Sequence, residues 1–187
     1  MKTLRFLIAP ISSLCLLVGC LSGFPVWTAG EVPFIPTPPE VVDRMLELAE
    51  VKKGDVVYDV GSGDGRIVIA AAKKYGVRGV GIEIDPDLVQ RSREKARTEG
   101  VDYLAEFREQ DALKVDLTEA TVVTLYMMPE FNAKLRPILE KHLRPGWRVV
   151  AHDFGVEGWT PARIERLKGD FLHSHTIYLY VWKTEDR

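Results

Sequence analysis

From Val56 to Asp85 the chain switches between continuous apolar runs and helical spacing. Val56-Val57-Tyr58-Asp59-Val60 is rich in β-branched residues and follows Lys53-Gly54-Asp55, a pattern that predicts a buried strand. Gly61-Ser62-Gly63-Asp64-Gly65 breaks the run, and its alternate glycines permit a tight turn and the close approach of a ligand to the backbone. Ile67 to Tyr75 carries Ile67, Ala70, Ala71 and Lys74 at helical spacing. A second apolar run, Val77 to Ile84, ends at the acids Glu83 and Asp85. Strand, glycine turn, helix, strand and terminal acid predict half of a nucleotide-binding α/β fold.

The flanking patterns extend this unit. Pro39 starts a predicted helix over Glu40 to Glu50, with Val41, Met45, Leu48 and Ala49 on one face. Pro86 opens another, running to about Glu99, which points Leu88, Val89 and Ala96 inward and is capped by Gly100. Further strands are expected over Tyr103–Arg108, Ala120–Tyr126 and Arg148–Phe154, with a helix over Phe131–Leu143 closed by Arg144-Pro145-Gly146. After Phe154 the pattern changes: Arg163 to Leu167 alternates, Lys168-Gly169-Asp170 turns, and Thr176 to Trp182 alternates again. The expectation is a Rossmann-like, doubly wound α/β fold, its mostly parallel sheet ending in an antiparallel C-terminal hairpin.

The N-terminus reads differently. Lys2 and Arg5 precede an apolar stretch, Phe6 to Leu21, interrupted only by Ser12 and Ser13, and no further charge occurs until Glu31. Residues 1–23 are therefore expected to be an export signal or membrane anchor, and Leu17-Val18-Gly19-Cys20 resembles a bacterial lipobox that would lipidate Cys20. A misassigned translation start and a buried N-terminal helix are the rival readings; the former would leave a cytoplasmic protein. Residues 24–39 hold Pro25, Pro33, Pro36, Pro38 and Pro39 and form a linker or a segment preceding the fold. Residues 40–187 form the main domain.

Composition narrows the chemistry. A chain of 187 residues is long enough for one domain with a sizeable core. A formal net charge of −2 gives no basic excess of the kind a nucleic-acid-binding face requires, so no nucleic acid partner is expected. Cys15 and Cys20 both lie in the N-terminal segment, so the domain has no Cys nucleophile and no Cys-based zinc site.

The glycine turn discriminates between ligands. A dinucleotide fingerprint requires glycine where this chain has Arg66. A pyrophosphate seeks uncharged N–H groups at a helix N-terminus, and Asp64 would repel it. An aminoacyl sulfonium carries no phosphate, its ammonium favours nearby carboxylates, and Glu83 is placed to take both hydroxyls of an adenosine ribose. Asp59-Val60-Gly61-Ser62-Gly63-Asp64-Gly65 resembles the first motif of class I S-adenosylmethionine (SAM) methyltransferases, Gly81-Ile82-Glu83-Ile84-Asp85 their second-strand acidic motif, and Gln110-Asp111-Ala112 their adenine-reading loop. The resemblance covers most of the chain from about Phe34. It implies the class I methyltransferase fold, SAM as cofactor, and cofactor contacts from Asp59, Gly61, Ser62, Gly63, Asp64, Gly65, Glu83, Asp111 and Ala112. Phe34-Ile35-Pro36-Thr37-Pro38-Pro39 is similar to the segment that covers the cofactor in one branch of the family, which adds Pro36 and Thr37. Together with Arg66 and Pro129-Glu130, these motifs look most like the seven-strand protein lysine methyltransferases that modify the ATP synthase c subunit and the adenine nucleotide carrier.

On the acceptor side, base methyltransferases usually carry Asn or Asp and two prolines where this chain has Tyr126-Met127-Met128-Pro129. Tyr126 is the candidate catalytic residue, to orient an acceptor amine or contact the sulfonium; packing at a strand end is its other reading. His152 and Asp153 are substrate-side candidates. His173 and His175 share a strand face but lack a third ligand and are read as structural, so no metal is expected. The expected acceptor is a protein, as a lysine amine, or a small molecule; a lipid acceptor and a non-catalytic exported binding module remain as alternatives. Export would separate the domain from cytoplasmic SAM, a conflict internal to the sequence.

Overall fold

The computed structural model describes residues 34–169 and 174–183. The expected leader, residues 1–23, the adjoining residues 24–33 and His173 lie outside the described residues. Among the described residues, no helix is long and apolar enough to cross a membrane.

Five strands run parallel: β1 (Val56–Val60), β2 (Arg78–Glu83), β3 (Ala105–Glu109), β4 (Val122–Leu125) and β5 (Arg148–His152). Two more, β6 (Arg163–Leu167) and β7 (His175–Val181), are antiparallel to each other, and β7 is antiparallel to β5. The sheet order is β3-β2-β1-β4-β5-β7-β6, so β7 inserts between β5 and β6. Sheet order reverses between β1 and β4, and in open α/β sheets ligands bind at the carboxyl ends of the strands flanking such a switch point.

Side-chain alternation explains the layers. Val57, Val122 and Val150 pack with α1 (Pro39–Leu48) and α2 (Arg66–Tyr75), whereas Tyr58, Val60, Val123, Leu125, Val149 and Ala151 pack with Leu135 and Leu139 of α4 (Pro129–His142). The helix α3 (Pro86–Thr98) puts Val89 and Ala96 against Phe107 of β3 and Val68 and Ala72 of α2. Pro39, Pro86 and Pro129 all occupy the first helical turn, where a missing N–H costs nothing. Asp85 caps α3 by accepting from the N–H groups of Asp87 and Leu88 at 2.8 and 3.3 Å.

Element ends differ from the sequence expectation where local chemistry intervenes. Tyr103 stays exposed in a turn, so β3 begins at Ala105. Pro129 starts α4 two residues ahead of Phe131. Asp153 has φ of 57°, a left-handed conformation that ends β5 at His152.

Candidate active site at the carboxyl ends of the parallel strands

The loop after β1 folds towards β2. The N–H groups of Gly61 and Ser62 both donate to the Ile82 carbonyl at 2.9 Å, and Gly63 N–H donates to Glu83 Oε2 at 2.9 Å. Glu83 Oε1 accepts from Ile84 and Asp85 N–H at 2.8 and 3.0 Å. A carboxylate offers about four acceptor positions, so this fixed group retains capacity for a ligand hydroxyl. Gly61 and Gly63 have φ of 79° and 52°, and a Cβ at either would collide with Met127 or with the Phe34 ring respectively. The glycines therefore serve two ends: they permit left-handed backbone and let other groups lie directly on it.

Two acids of this motif, Asp59 and Asp64, stand in opposite electrostatic states. Asp59 is buried, and burial pushes its carboxyl up to about 7, the negative charges of Glu83 and Asp64 adding to the rise. The Thr124 hydroxyl, donating to Asp59 Oδ1 at 2.7 Å, opposes the rise without cancelling it. Asp64, by contrast, takes two hydrogen bonds of 2.8 Å from the Arg66 guanidinium and a contact of 3.3 Å from Lys95. Its pKa is lowered: burial works upward, but the Arg66 and Lys95 partners outweigh it. Asp111 follows β3, where its Oδ1 caps a single 3-10 turn by accepting from Leu113 N–H at 2.9 Å, with Ala112 buried next to it. Gln110 N–H donates to the Glu83 carbonyl at 2.8 Å, which binds this loop to the end of β2.

Residues 34–38 cross these strand ends. The Arg66 guanidinium donates to the Thr37 carbonyl at 2.8 Å, and the Thr37 hydroxyl meets His152 Nδ1 at 3.2 Å, so one buried threonine joins α2 to the end of β5. Pro36 is exposed, one residue before this anchor. The other site residues expected from the sequence thus collect at one edge of the sheet.

Tyr126 follows β4, half-buried, with its ring 4.0 Å from that of His152. Burial raises its pKa, and the Asp153 carboxylate, which accepts its hydroxyl, raises it further. His152 Nε2 lies 2.9 Å from His175 Nδ1 and 3.2 Å from Asp153 Oδ2. His175, read as structural in the sequence, touches both substrate-side candidates. The approach of Phe34 to Gly63, that of Met127 to Gly61 and the Thr37–His152 bond were not foreseen, because each depends on contacts between segments far apart in the chain.

The cradle fits SAM on two observations: glycine backbone on which other groups lie directly, as Met127 and Phe34 do here, and a buried carboxyl, Asp59, pushed up to about 7 mainly by burial, a rise that an ammonium would relieve. Comparison with known proteins agrees. A protein-lysine N-methyltransferase of Saccharolobus islandicus is 44% identical over 151 residues, covering 80% of this chain and 93% of the relative. The human lysine N-methyltransferase named for the ATP synthase c subunit is 38% identical over 71% of this chain, which spans only 56% of the human protein's length. A crystal structure of an RNA methyltransferase from Salinibacter ruber in complex with S-adenosyl-L-homocysteine is 55% identical, with a TM-score of 0.76, covering 80% of this chain and 95% of that one. The family model described as the ANTKMT methyltransferase domain matches residues 59–163, more than half of the chain and all of the strand ends from Asp59 to Asp153. The chain belongs to that family and is a SAM-dependent methyltransferase.

Proposed function

We propose that this methyltransferase modifies a lysine ε-amine of a protein. The observation that carries the reading is the placement of Tyr126 and Asp153 at the ends of β4 and β5, beside the glycine loop. An amine arriving there meets a phenolic oxygen whose hydrogen is already given to a carboxylate. That oxygen accepts an amine N–H and so aims the nitrogen lone pair, which is a positioning task. The raised pKa of Tyr126 keeps the phenol neutral in this role. A lysine must lose its proton to solvent before it can react; desolvation beside the rings of Tyr126, His152 and Phe154 favours the neutral amine and works against the Asp153 carboxylate, which favours the ammonium. The name of the Saccharolobus relative supports the same acceptor class.

When bound, SAM supplies a methyl group on a sulfonium, already activated for displacement. In the proposed assignment Glu83 holds the ribose hydroxyls, Asp59 the ammonium, and Asp111 with Ala112 the adenine. Gly61, Ser62, Gly63 and Gly65 bring backbone close to the cofactor, while Asp64 fixes the loop through Arg66 and Lys95. Pro36 and Thr37 cover it. We further propose that residues 1–23 direct the protein to a membrane, with lipidation at Cys20; Lys2, Arg5 and the apolar run to Leu21 support this.

The test is transfer of radiolabel from methyl-labelled SAM into soluble and membrane fractions of the source cell, with Glu83→Ala as blank. Label in a protein band, placed on lysine by mass spectrometry, is expected. Label in RNA, the acceptor class named for the Salinibacter relative, would overturn the lysine reading, as would label extracted into organic solvent. The Tyr126-Met127-Met128-Pro129 strand end and the net charge of −2 argue against RNA.

A further inference from the structure

At the junction of β5 and β7, three ligand-type atoms converge: His152 Nε2, His175 Nδ1 and Asp153 Oδ2. Their separations are 2.9 Å between the two nitrogens, 3.2 Å from His152 to Asp153, and 3.5 Å from His175 to Asp153. A tetrahedral ion with bonds of about 2.0–2.1 Å has ligand-to-ligand edges of about 3.3 Å. One ion would therefore lie at bonding distance from all three without any of them moving far. We propose that His152, Asp153 and His175 form a binding site for a divalent transition-metal ion of the zinc type.

The three groups share protons among themselves, and the Tyr126 hydroxyl donates to Asp153 as well. A cation satisfies all three donors together, and two neutral imidazoles with one carboxylate leave the loaded site with a single positive charge. The donor set is nitrogen and oxygen, which suits zinc and its neighbours rather than magnesium or calcium, ions that prefer all-oxygen shells.

The surroundings are those of a built site. The second nitrogen of His152 meets the Thr37 hydroxyl at 3.2 Å, and the second oxygen of Asp153 accepts Thr176 N–H at 2.8 Å, so the outward atoms of two ligands are held. Asp153 N–H donates to the Thr176 carbonyl at 2.7 Å, which locks the two strand ends at this point. The left-handed φ of 57° at Asp153, costly for a non-glycine residue, turns its carboxylate back towards the histidines. The side chain of His152 is fully buried, whereas those of Asp153 and His175 keep 8% and 14% exposure.

The site is tested on the full, untagged chain, stripped by chelator and titrated with zinc against a chromophoric chelator. Cobalt(II) serves as a spectroscopic probe, since a tetrahedral nitrogen–oxygen site gives intense visible bands. The wild type is expected to bind one equivalent of zinc, with affinity lower by roughly 100-fold in His175→Ala and in Asp153→Ala, and by roughly 10-fold in Thr37→Val. His142→Ala, at a histidine that instead faces Asp116, retains it. Zinc also raises the thermal midpoint of the wild type and not of His175→Ala, because an ion bound only to the folded state stabilises it. The circular dichroism spectrum and a cooperative thermal transition verify that each variant is folded. Equal zinc affinity in wild type and folded His175→Ala, or a cobalt spectrum that this substitution leaves unchanged, would overturn the proposal.

Discussion

Asp59→Asn tests whether the buried carboxyl of the glycine loop is held in a destabilised state. Its pKa rises from 3.8 to about 7 on folding, and burial is the main cause. At roughly 1.4 kcal/mol per unit, that is about 4 kcal/mol between the two protonation states. A carboxyl whose folded-state pKa is raised contributes stability that is fully present below its unfolded value of 3.8. That contribution is lost as pH climbs through about 7. From pH 5 to pH 8 the wild type should lose about 2.5 kcal/mol from this group alone, a loss absent in Asp59→Asn. The new amide adds a constant cost of about 1–3 kcal/mol if it lacks a partner, but a constant cancels when the two pH values are compared. Urea unfolding of both proteins at pH 5 and pH 8, without cofactor, gives this double difference directly. Parallel pH curves would refute the reasoning. SAM binding should respond oppositely: calorimetry should show affinity weakened by about 10–100-fold in Asp59→Asn, the worth of a charge-assisted hydrogen bond of about 1.5–3 kcal/mol.

Tyr126→Phe should reduce kcat by about tenfold, one hydrogen bond's worth, while the dissociation constant for SAM stays unchanged; a loss of SAM affinity would remove Tyr126 from the acceptor side. Gly63→Ala must place a methyl on backbone at φ 52° and into the Phe34 ring, so thermal unfolding should show a loss of about 1–3 kcal/mol. Asp55, buried at the opposite ends of the strands, accepts from Thr121 at 2.8 Å and pairs with Arg148. Asp55→Ala leaves that arginine without its carboxylate and should cost about 3–5 kcal/mol in denaturant unfolding, with no change in SAM affinity per folded molecule.

What the sequence discloses here is what is contiguous. Gly61 to Gly65 and Glu83 belong to one strand-turn-helix-strand unit, so the pattern of apolar runs places them together before any coordinates exist. The state of each acid is another matter. Asp59 and Asp64 are five residues apart in one motif, yet one sits at about 7 and the other is lowered by Arg66 and Lys95. Nothing in a string of letters tells which carboxylate the neighbouring cations will reach. Thr37 and His152 are separated by 115 positions, and their hydrogen bond exists only because the segment before α1 crosses the ends of β1 and β5.

The junction of β5 and β7 makes the point most sharply. Alternation marks Arg163–Leu167 and the stretch near Thr176 as strands without saying which of them lies next to β5. Neighbouring strands are about 4.8 Å apart, so a sheet that took β6 next and β7 last would put His175 one strand further from Asp153 and dissolve the cluster. The observed order, with β7 inserted, pairs His152 with Ile177 and brings Thr176 to the backbone of Asp153. A local feature then completes the site: Asp153 leaves the strand in a left-handed turn, and its carboxylate is directed at the two imidazoles instead of along the sheet. Topology supplies the histidine and one backbone dihedral supplies the acid. Neither can be derived from the spacing of His152, Asp153 and His175, which is why His175 reads as structural in the sequence and as a neighbour of His152 and Asp153 in the fold.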